Sequence, residues 1–294
     1  MIEITNCDVL IIGKGPAGIS ASLYAVRAGL DVIVLGKDSG ALGKAHKIDN
    51  YYGFPEGIAG EELFQNGIAG AERLGVKVIQ DEVFEMSVGE DGAFLLEAGT
   101  GRYRAPALIL AAGTSRKVLP LKGLKEYEGR GVSYCAVCDA FFYRNLPVAV
   151  IGNAEYAVNE AVHLQPVVSA VTILTDGREM EADVPEGIAV NTAKIRELTG
   201  GDLLNRVLFE DGSSLDAEGV FVAVGTASST DLARKIGVVD PEGQIAHQDD
   251  MSTFVPGFFT AGDCNKGMLQ VAKAVYEGAV AGSSAVNYLR NLKK

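Results

Sequence analysis

Four consecutive apolar residues, Val9-Leu10-Ile11-Ile12, run straight into the loop Gly13-Lys14-Gly15-Pro16-Ala17-Gly18. A short apolar run bounded by glycine reads as a strand buried on both faces, the kind parallel sheets use. Glycines at this spacing have separate tasks when a helix follows. Gly13 allows the tight turn, Gly15 lets the backbone approach a pyrophosphate, and Gly18 lets helix and strand pack closely. The helix amino terminus then offers amide hydrogens and partial positive charge to phosphates. The same opening recurs at Val148-Ala149-Val150-Ile151, but that loop reads Gly152-Asn153-Ala154-Glu155-Tyr156-Ala157. Asn153 and Ala154 replace glycines at the two following positions, and their side chains crowd a pyrophosphate. One dinucleotide loop is intact and its repeat is damaged.

A chain of 294 residues is long enough for two domains, and 48% apolar against 22% charged residues fits a soluble α/β protein. No apolar stretch is long enough to span a bilayer. The start lacks a basic region and enters a strand at once, so no export signal is expected and the cytoplasm is the expected location. The net charge of −12 disfavours nucleic acid and anionic membranes.

Periodicity and punctuation predict strand 8–12, a helix from about 17 to 28, strand 32–35 and a helix over 60–74 with Leu63, Phe64 and Ile68 on one face. Strands are expected at 76–80, 83–88, 93–98 and 108–112. The second unit repeats the pattern with strand 148–151, helix 155–164 ended by Pro166, and strands 170–174 and 220–224. A final helix over 269–289 is rich in Ala and Gly, which suits close packing against a sheet or cofactor.

Between the two openings lies Cys135-Ala136-Val137-Cys138-Asp139. The pair could be a redox dithiol, half a metal site or two core cysteines. No second ligand pair exists, and His46, His163 and His247 complete no zinc spacing, so metal is disfavoured. The core reading needs two thiols at helical spacing by chance. A redox pair is favoured. Residues 135–143 look helical, which puts Cys135 at a helix amino terminus, where the dipole stabilises a thiolate. Asp139 could relay a proton during exchange, or be an ordinary first-turn acid. Cys7 and Cys264 read as small apolar residues, in the core or beside a cofactor. In Thr260-Ala261-Gly262-Asp263 the carboxylate could meet a sugar or ribityl hydroxyl, or cap a helix. The usual ribose-binding acid after the second strand is not evident at Leu35-Gly36-Lys37.

The first glycine loop, the string Gly129-Arg130-Gly131-Val132-Ser133-Tyr134-Cys135-Ala136-Val137-Cys138-Asp139, Ala111-Ala112-Gly113-Thr114 and Thr260 to Asp263 together resemble low-molecular-weight thioredoxin reductases, over essentially the whole chain. The resemblance implies an α/β fold of two Rossmann-like, three-layer ββα domains, the second inserted within the first. An FAD-binding domain would comprise 1–116 and 245–294, and a central dithiol domain 117–244. It further implies a homodimer, catalytic Cys135, Cys138 and Asp139, and FAD held by Gly13, Gly15, Pro16, Ala17, Gly18, Asn50, Ala112, Gly113, Gly262, Asp263 and Gln270.

Three departures fall on the nicotinamide site. The family's glycine-rich central loop, its His-Arg-Arg and its Gly-His-x-Pro segment are here Gly152-Asn153-Ala154-Glu155, Thr175-Asp176-Gly177 and Gly225-Thr226-Ala227-Ser228. Asp176 would repel a 2′-phosphate, and Arg178 is the only nearby cation. The pattern resembles the pyridine-nucleotide-independent branch, in which reduced ferredoxin feeds FAD, FAD reduces the Cys135–Cys138 disulfide, and the dithiol reduces a thioredoxin-like protein. Lys37, Lys44 and Lys47 could form a docking patch for an acidic ferredoxin, or be three solvated lysines. The alternatives are NAD(P)H acting through an atypical pocket, a flavin dithiol oxidase using oxygen, and a flavin-bearing sensor.

Overall fold

The computed structural model describes residues 4–113, 119–225, 229–239 and 244–292. The chain divides into two compact units, one formed by Met1–Ser115 with Ser228–Lys294 and the other by Arg116–Ala227. Within the first segment the order is β1 (Ile4–Asn6), β2 (Val9–Ile12), α1 (Pro16–Arg27), β3 (Val32–Gly36), α2 (Gly60–Arg73), β4 (Lys77–Gln80), β5 (Val83–Val88), β6 (Phe94–Ala98), β7 (Gly101–Ala105) and β8 (Ala107–Leu110). The middle segment holds β9 (Val132–Ser133), α3 (Ala136–Asp139), β10 (Pro147–Ile151), α4 (Glu155–Leu164), β11 (Ala170–Leu174), β12 (Ala189–Asn191), β13 (Ile195–Gly200), β14 (Leu204–Phe209), β15 (Ser214–Asp216) and β16 (Gly219–Val222). The last segment adds α5 (Ser229–Lys235), β17 (Phe258–Thr260) and α6 (Val271–Leu292).

Each unit has a five-stranded parallel sheet, in order β17-β8-β2-β3-β4 in the first and β12-β11-β10-β16-β9 in the second. Each also has a smaller sheet, β1-β7-β6-β5 and β13-β14-β15. The central strands β2 and β10 are buried along both faces, which is why they read as continuous apolar runs.

The expected return to the first unit at 245 is corrected to 228. α5 packs on β5, and Lys235 Nζ lies 2.8 Å from Glu85 Oε2, so this short helix belongs with the first unit, against its smaller sheet. The expected helix over 135–143 is also corrected. It is one α-turn followed by a 3-10 turn at Ala140–Tyr143, because the backbone changes at Asp139 (φ −116°). The terminal helix packs chiefly on α1, with lesser contact to β8 and β17. Added Cβ atoms at Gly278 and Gly282 would strike the backbone oxygens of Ala17 and Ala21, and Ser20 Oγ donates to the carbonyl of Val275 at 2.7 Å. Two glycines four apart therefore let α6 lie directly on α1. None of the helices among the described residues is long and apolar enough to cross a membrane.

Candidate active site

In the first unit, Gly13 has φ +108° and sits at the crossover from β2. A Cβ there would strike Ala111 O and lie 2.8 Å from Ala112 N, so the loop presses against the end of β8. A Cβ at Gly18 would strike Gly13 O, which fixes how tightly α1 meets the loop. Space above Gly15 is open, with nothing within 4 Å of an added Cβ. Gly15 is the N-cap of α1 and makes no side-chain cap, Pro16 occupies the first turn, and no acid lies there. An uncapped helix end beneath open space suits a pyrophosphate. Gly113 has φ +72° and its carbonyl accepts from Ser229 Oγ at 2.7 Å.

Asp263 follows β17, and its Oδ1 is buried without a hydrogen-bond partner among the described residues. An orphaned buried carboxylate oxygen is expensive unless a ligand hydroxyl satisfies it. Burial raises the Asp263 carboxyl above its usual range, opposed by Lys273 and reinforced by Glu277. Asn50 and Gln270, distant in sequence, meet through a 2.9 Å bond from Asn50 Nδ2 to Gln270 Oε1. An open phosphate cradle and a polar group awaiting hydroxyl donors fit FAD, whose ribityl chain supplies such donors.

At the end of β3, where a ribose-binding acid would stand, Lys14 packs instead. A Cβ at Gly36 would lie 2.7 Å from Lys14 Cγ, and Lys14 Nζ lies 5.6 Å from the Phe64 ring centroid. Glycine at position 36 makes room for this side chain.

In the second unit, Cys135 and Cys138 form a disulfide with Cα atoms 5.3 Å apart. Cys135 is buried and caps α3, its Sγ accepting the Cys138 N–H at 3.2 Å; Cys138 is exposed. Ser133 Oγ donates to Asp139 Oδ2 at 2.6 Å and accepts the Cys135 N–H at 3.1 Å. Glu160, buried on α4, accepts the Ala136 N–H at 2.6 Å through Oε2. Shortly after Cys138 in the sequence, Phe141 and Phe142 are about three-quarters exposed (73% and 75%), an apolar pair at the surface. Sequence reasoning missed Ser133 and Glu160. Ser133 lies within the Gly129–Asp139 string, whereas Glu160 reaches the dithiol only through the packing of α4.

The damaged repeat has a specific structure. Gly152 is retained because a Cβ would strike Ala223 O, the counterpart of the Gly13–Ala111 contact. Asn153 is buried, and its side-chain amide donates at 3.0 Å both to Glu179 O and to Glu181 Oε1. Its Oδ1 accepts from Arg178 Nη1 at 3.4 Å, and its carbonyl accepts the Glu181 N–H at 2.7 Å. The segment 178–181 after β11 is thus strapped onto the loop after β10. Arg178, the one cation considered for a 2′-phosphate, is engaged with Asn153. Asp176 has φ +54° and its carboxylate accepts the Ile195 N–H at 2.9 Å. The third departure, at 226–228, lies outside the described residues.

Of the three lysines considered for docking, Lys37 is 2.6 Å from Glu82 and Lys47 is 2.7 Å from Asp49. Two of the three charges are locally matched, which weakens them as a patch for an acidic partner. Burial, with Asp31 reinforcing it, pushes the Cys7 thiol up to about 12, and burial also raises Cys264.

The profile of the pyridine nucleotide-disulphide oxidoreductase family matches residues 7–278. Among curated proteins the chain is 33% identical to a thioredoxin reductase of Listeria monocytogenes, over 98% of this chain and 95% of the relative. It is 32% identical to that of Bacillus subtilis, over 100% and 98%. Among solved structures, the atypical thioredoxin reductase TRi of Desulfovibrio vulgaris Hildenborough is 40% identical with a TM-score of 0.90, covering 97% of this chain and 98% of its own. A ferredoxin-flavin thioredoxin reductase of Clostridium acetobutylicum is 29% identical with a TM-score of 0.71, covering 99% and 100%. With its glycine cradle, its disulfide and matches along nearly its full length, the chain belongs to the low-molecular-weight thioredoxin reductases of the pyridine nucleotide-disulphide oxidoreductase family.

Proposed function

We propose that this flavoprotein disulfide reductase takes electrons from reduced ferredoxin and passes them through FAD and Cys135/Cys138 to the disulfide of a thioredoxin-like protein. The observation that carries the choice of donor is the strap of Asn153 onto residues 178–181. It fills the carboxyl end of the sheet where a nicotinamide dinucleotide would lie, and brings Glu179 and Glu181 where a phosphate needs cations. The likeness to a ferredoxin-flavin thioredoxin reductase supports the same reading.

Gly13, Gly15 and Gly18 would cradle FAD and Asp263 would hydrogen-bond it; when bound there it would supply the two electrons that open the disulfide. Opening takes two electrons and two protons and yields two thiols. The Cys138 N–H against Cys135 Sγ, at the start of α3, favours the thiolate form of Cys135 once reduced. Asp139, held by Ser133, gives or takes the proton at sulfur. The dithiol then attacks the partner's disulfide, a mixed disulfide forms, and the second cysteine resolves it, leaving the partner reduced and Cys135–Cys138 oxidised. The same reading makes the molecule a cytoplasmic homodimer, with the dimer checked by light scattering.

The test is an anaerobic spectral titration with reduced ferredoxin, NADPH and NADH in parallel. Bleaching of the flavin by ferredoxin alone is the expected result. Bleaching within seconds by either nucleotide would overturn the choice of donor while leaving the disulfide chemistry in place.

A further inference from the structure

Lys273 is a cation at the end of a helix that disfavours one. It lies in the first turn of α6, where aligned peptide dipoles already place positive charge and no acid stands. Its side chain is 12% exposed. The ammonium donates to Gly262 O at 2.8 Å and Asn265 O at 3.1 Å, and lies 3.3 Å from Glu277 Oε1. Glu277 is buried and works from the other side. Its Oε2 accepts the Gly262 N–H at 2.8 Å and the Asn265 side-chain amide at 3.1 Å.

The turn from 262 to 265 is therefore gripped twice, its carbonyls by Lys273 and its N–H groups by Glu277. Between the gripped residues sits Asp263, with its buried, unpartnered Oδ1. A buried ion pair is a poor way merely to fasten a helix, because apolar residues of the same volume usually do as well or better. This pair instead encloses the residue that faces the cofactor.

We propose that Lys273 is a positioning residue for FAD. With Glu277 it fixes the turn that aims Asp263, and its charge favours the electron-rich reduced cofactor. Without it the cluster keeps two carboxylates, Asp263 and Glu277, and loses its cation, so adding electrons nearby becomes harder. The proposal rests on FAD and not on the identity of the donor.

The experiment uses the full chain with Lys273→Gln, Lys273→Arg and Glu277→Gln. FAD affinity is read from the fluorescence of released cofactor. The midpoint potential is read against a reference dye during photochemical reduction, which needs neither ferredoxin nor nucleotide. Lys273→Gln is expected to weaken FAD binding about tenfold or more and to move the potential negative, with Lys273→Arg restoring both. Glu277→Gln, which removes the opposing charge, is expected to move the potential positive. Loss of affinity in Lys273→Gln with an unmoved potential overturns the proposal, since loosened packing alone gives that result. Should Lys273→Gln not fold, Glu277→Gln decides alone, and a potential that stays put or falls sinks the idea.

Discussion

The hydroxyl of Ser133 joins two parts of the reaction centre, donating to Asp139 Oδ2 at 2.6 Å while accepting the amide of Cys135 at 3.1 Å. One side chain thus holds both the first cysteine's backbone and the carboxylate we propose as the acid for the sulfurs. Asp139→Asn should slow reduction of a thioredoxin-type disulfide by about 10²–10⁴-fold. Ser133→Ala should slow it about tenfold, and Ser133→Thr should keep most of the rate. Stopped-flow mixing of the pre-reduced enzyme with its disulfide partner reads these rates. Equal rates for wild type and Ser133→Ala would remove Ser133 from this role.

Asp263 offers a buried oxygen with no hydrogen-bond partner among the described residues. Asp263→Ala should weaken FAD binding by about 10- to 100-fold, with Asp263→Asn between it and wild type. The ratio of flavin to protein absorbance after gel filtration measures this, and full retention in the Ala variant would count against the contact.

Asn153 makes four hydrogen bonds to residues 178–181, counting the one at its carbonyl. Asn153→Ala should destabilise the central unit by about 1–3 kcal/mol, seen as a lower urea midpoint. It should not create nucleotide-driven reduction, because Ala154, Ala157 and the acids remain. A variant bleached by NADPH would show that the strap alone bars the coenzyme.

Gly282 lies against the backbone of Ala21. Gly282→Val should cost about 1–3 kcal/mol or more through forced separation of α1 and α6. Tyr276→Val, on an exposed position of the same helix, should stay within about 0.5 kcal/mol. Thermal or urea unfolding distinguishes them, and a tolerated valine would mean the helices can part without penalty.

Cys7 should resist alkylation. With its thiol pushed up to about 12, only about 10⁻⁴ of it is thiolate at pH 8, and labelling should rise about tenfold per pH unit until that value. The raised value also means the folded chain holds this proton more tightly than the unfolded one. Its contribution to stability is full below the ordinary thiol value near 9.0 and is lost as pH climbs towards 12. Mass spectrometry of the reduced protein after a short iodoacetamide pulse should find label on Cys135 and Cys138 first. Prompt label on Cys7 at pH 8 would contradict its burial.

Much of the scaffold was legible because its signals are local. Strands 83–88 and 170–174 and the helix over 155–164 match their expected bounds, each being apolar or amphipathic over its full length with glycine or proline nearby. The sheet β13-β14-β15 escaped notice, since a register shift between Ile195 and Glu197 interrupts the alternation that would betray a strand. β9, two residues long, carries too little pattern to be read. The candidate residues of the site followed from motif strings, but their supports did not. Asn153 meets Glu179 and Glu181 across 26 and 28 residues, and nothing in either stretch announces the other. Lys273 and Glu277 stand at the four-residue spacing of a helical ion pair. What sequence could not convey is that the pair is buried and gripping a turn.

Gly13 and Gly152 are held by the same collision, one with Ala111 and the other with Ala223. That shared constraint belongs to the architecture and has no regard for cargo. The rest of each loop is free of that particular collision, so its sequence can differ between the two lobes while the scaffold stays standing. Glycine at 152 answers to geometry, and by itself it says nothing of what a lobe carries.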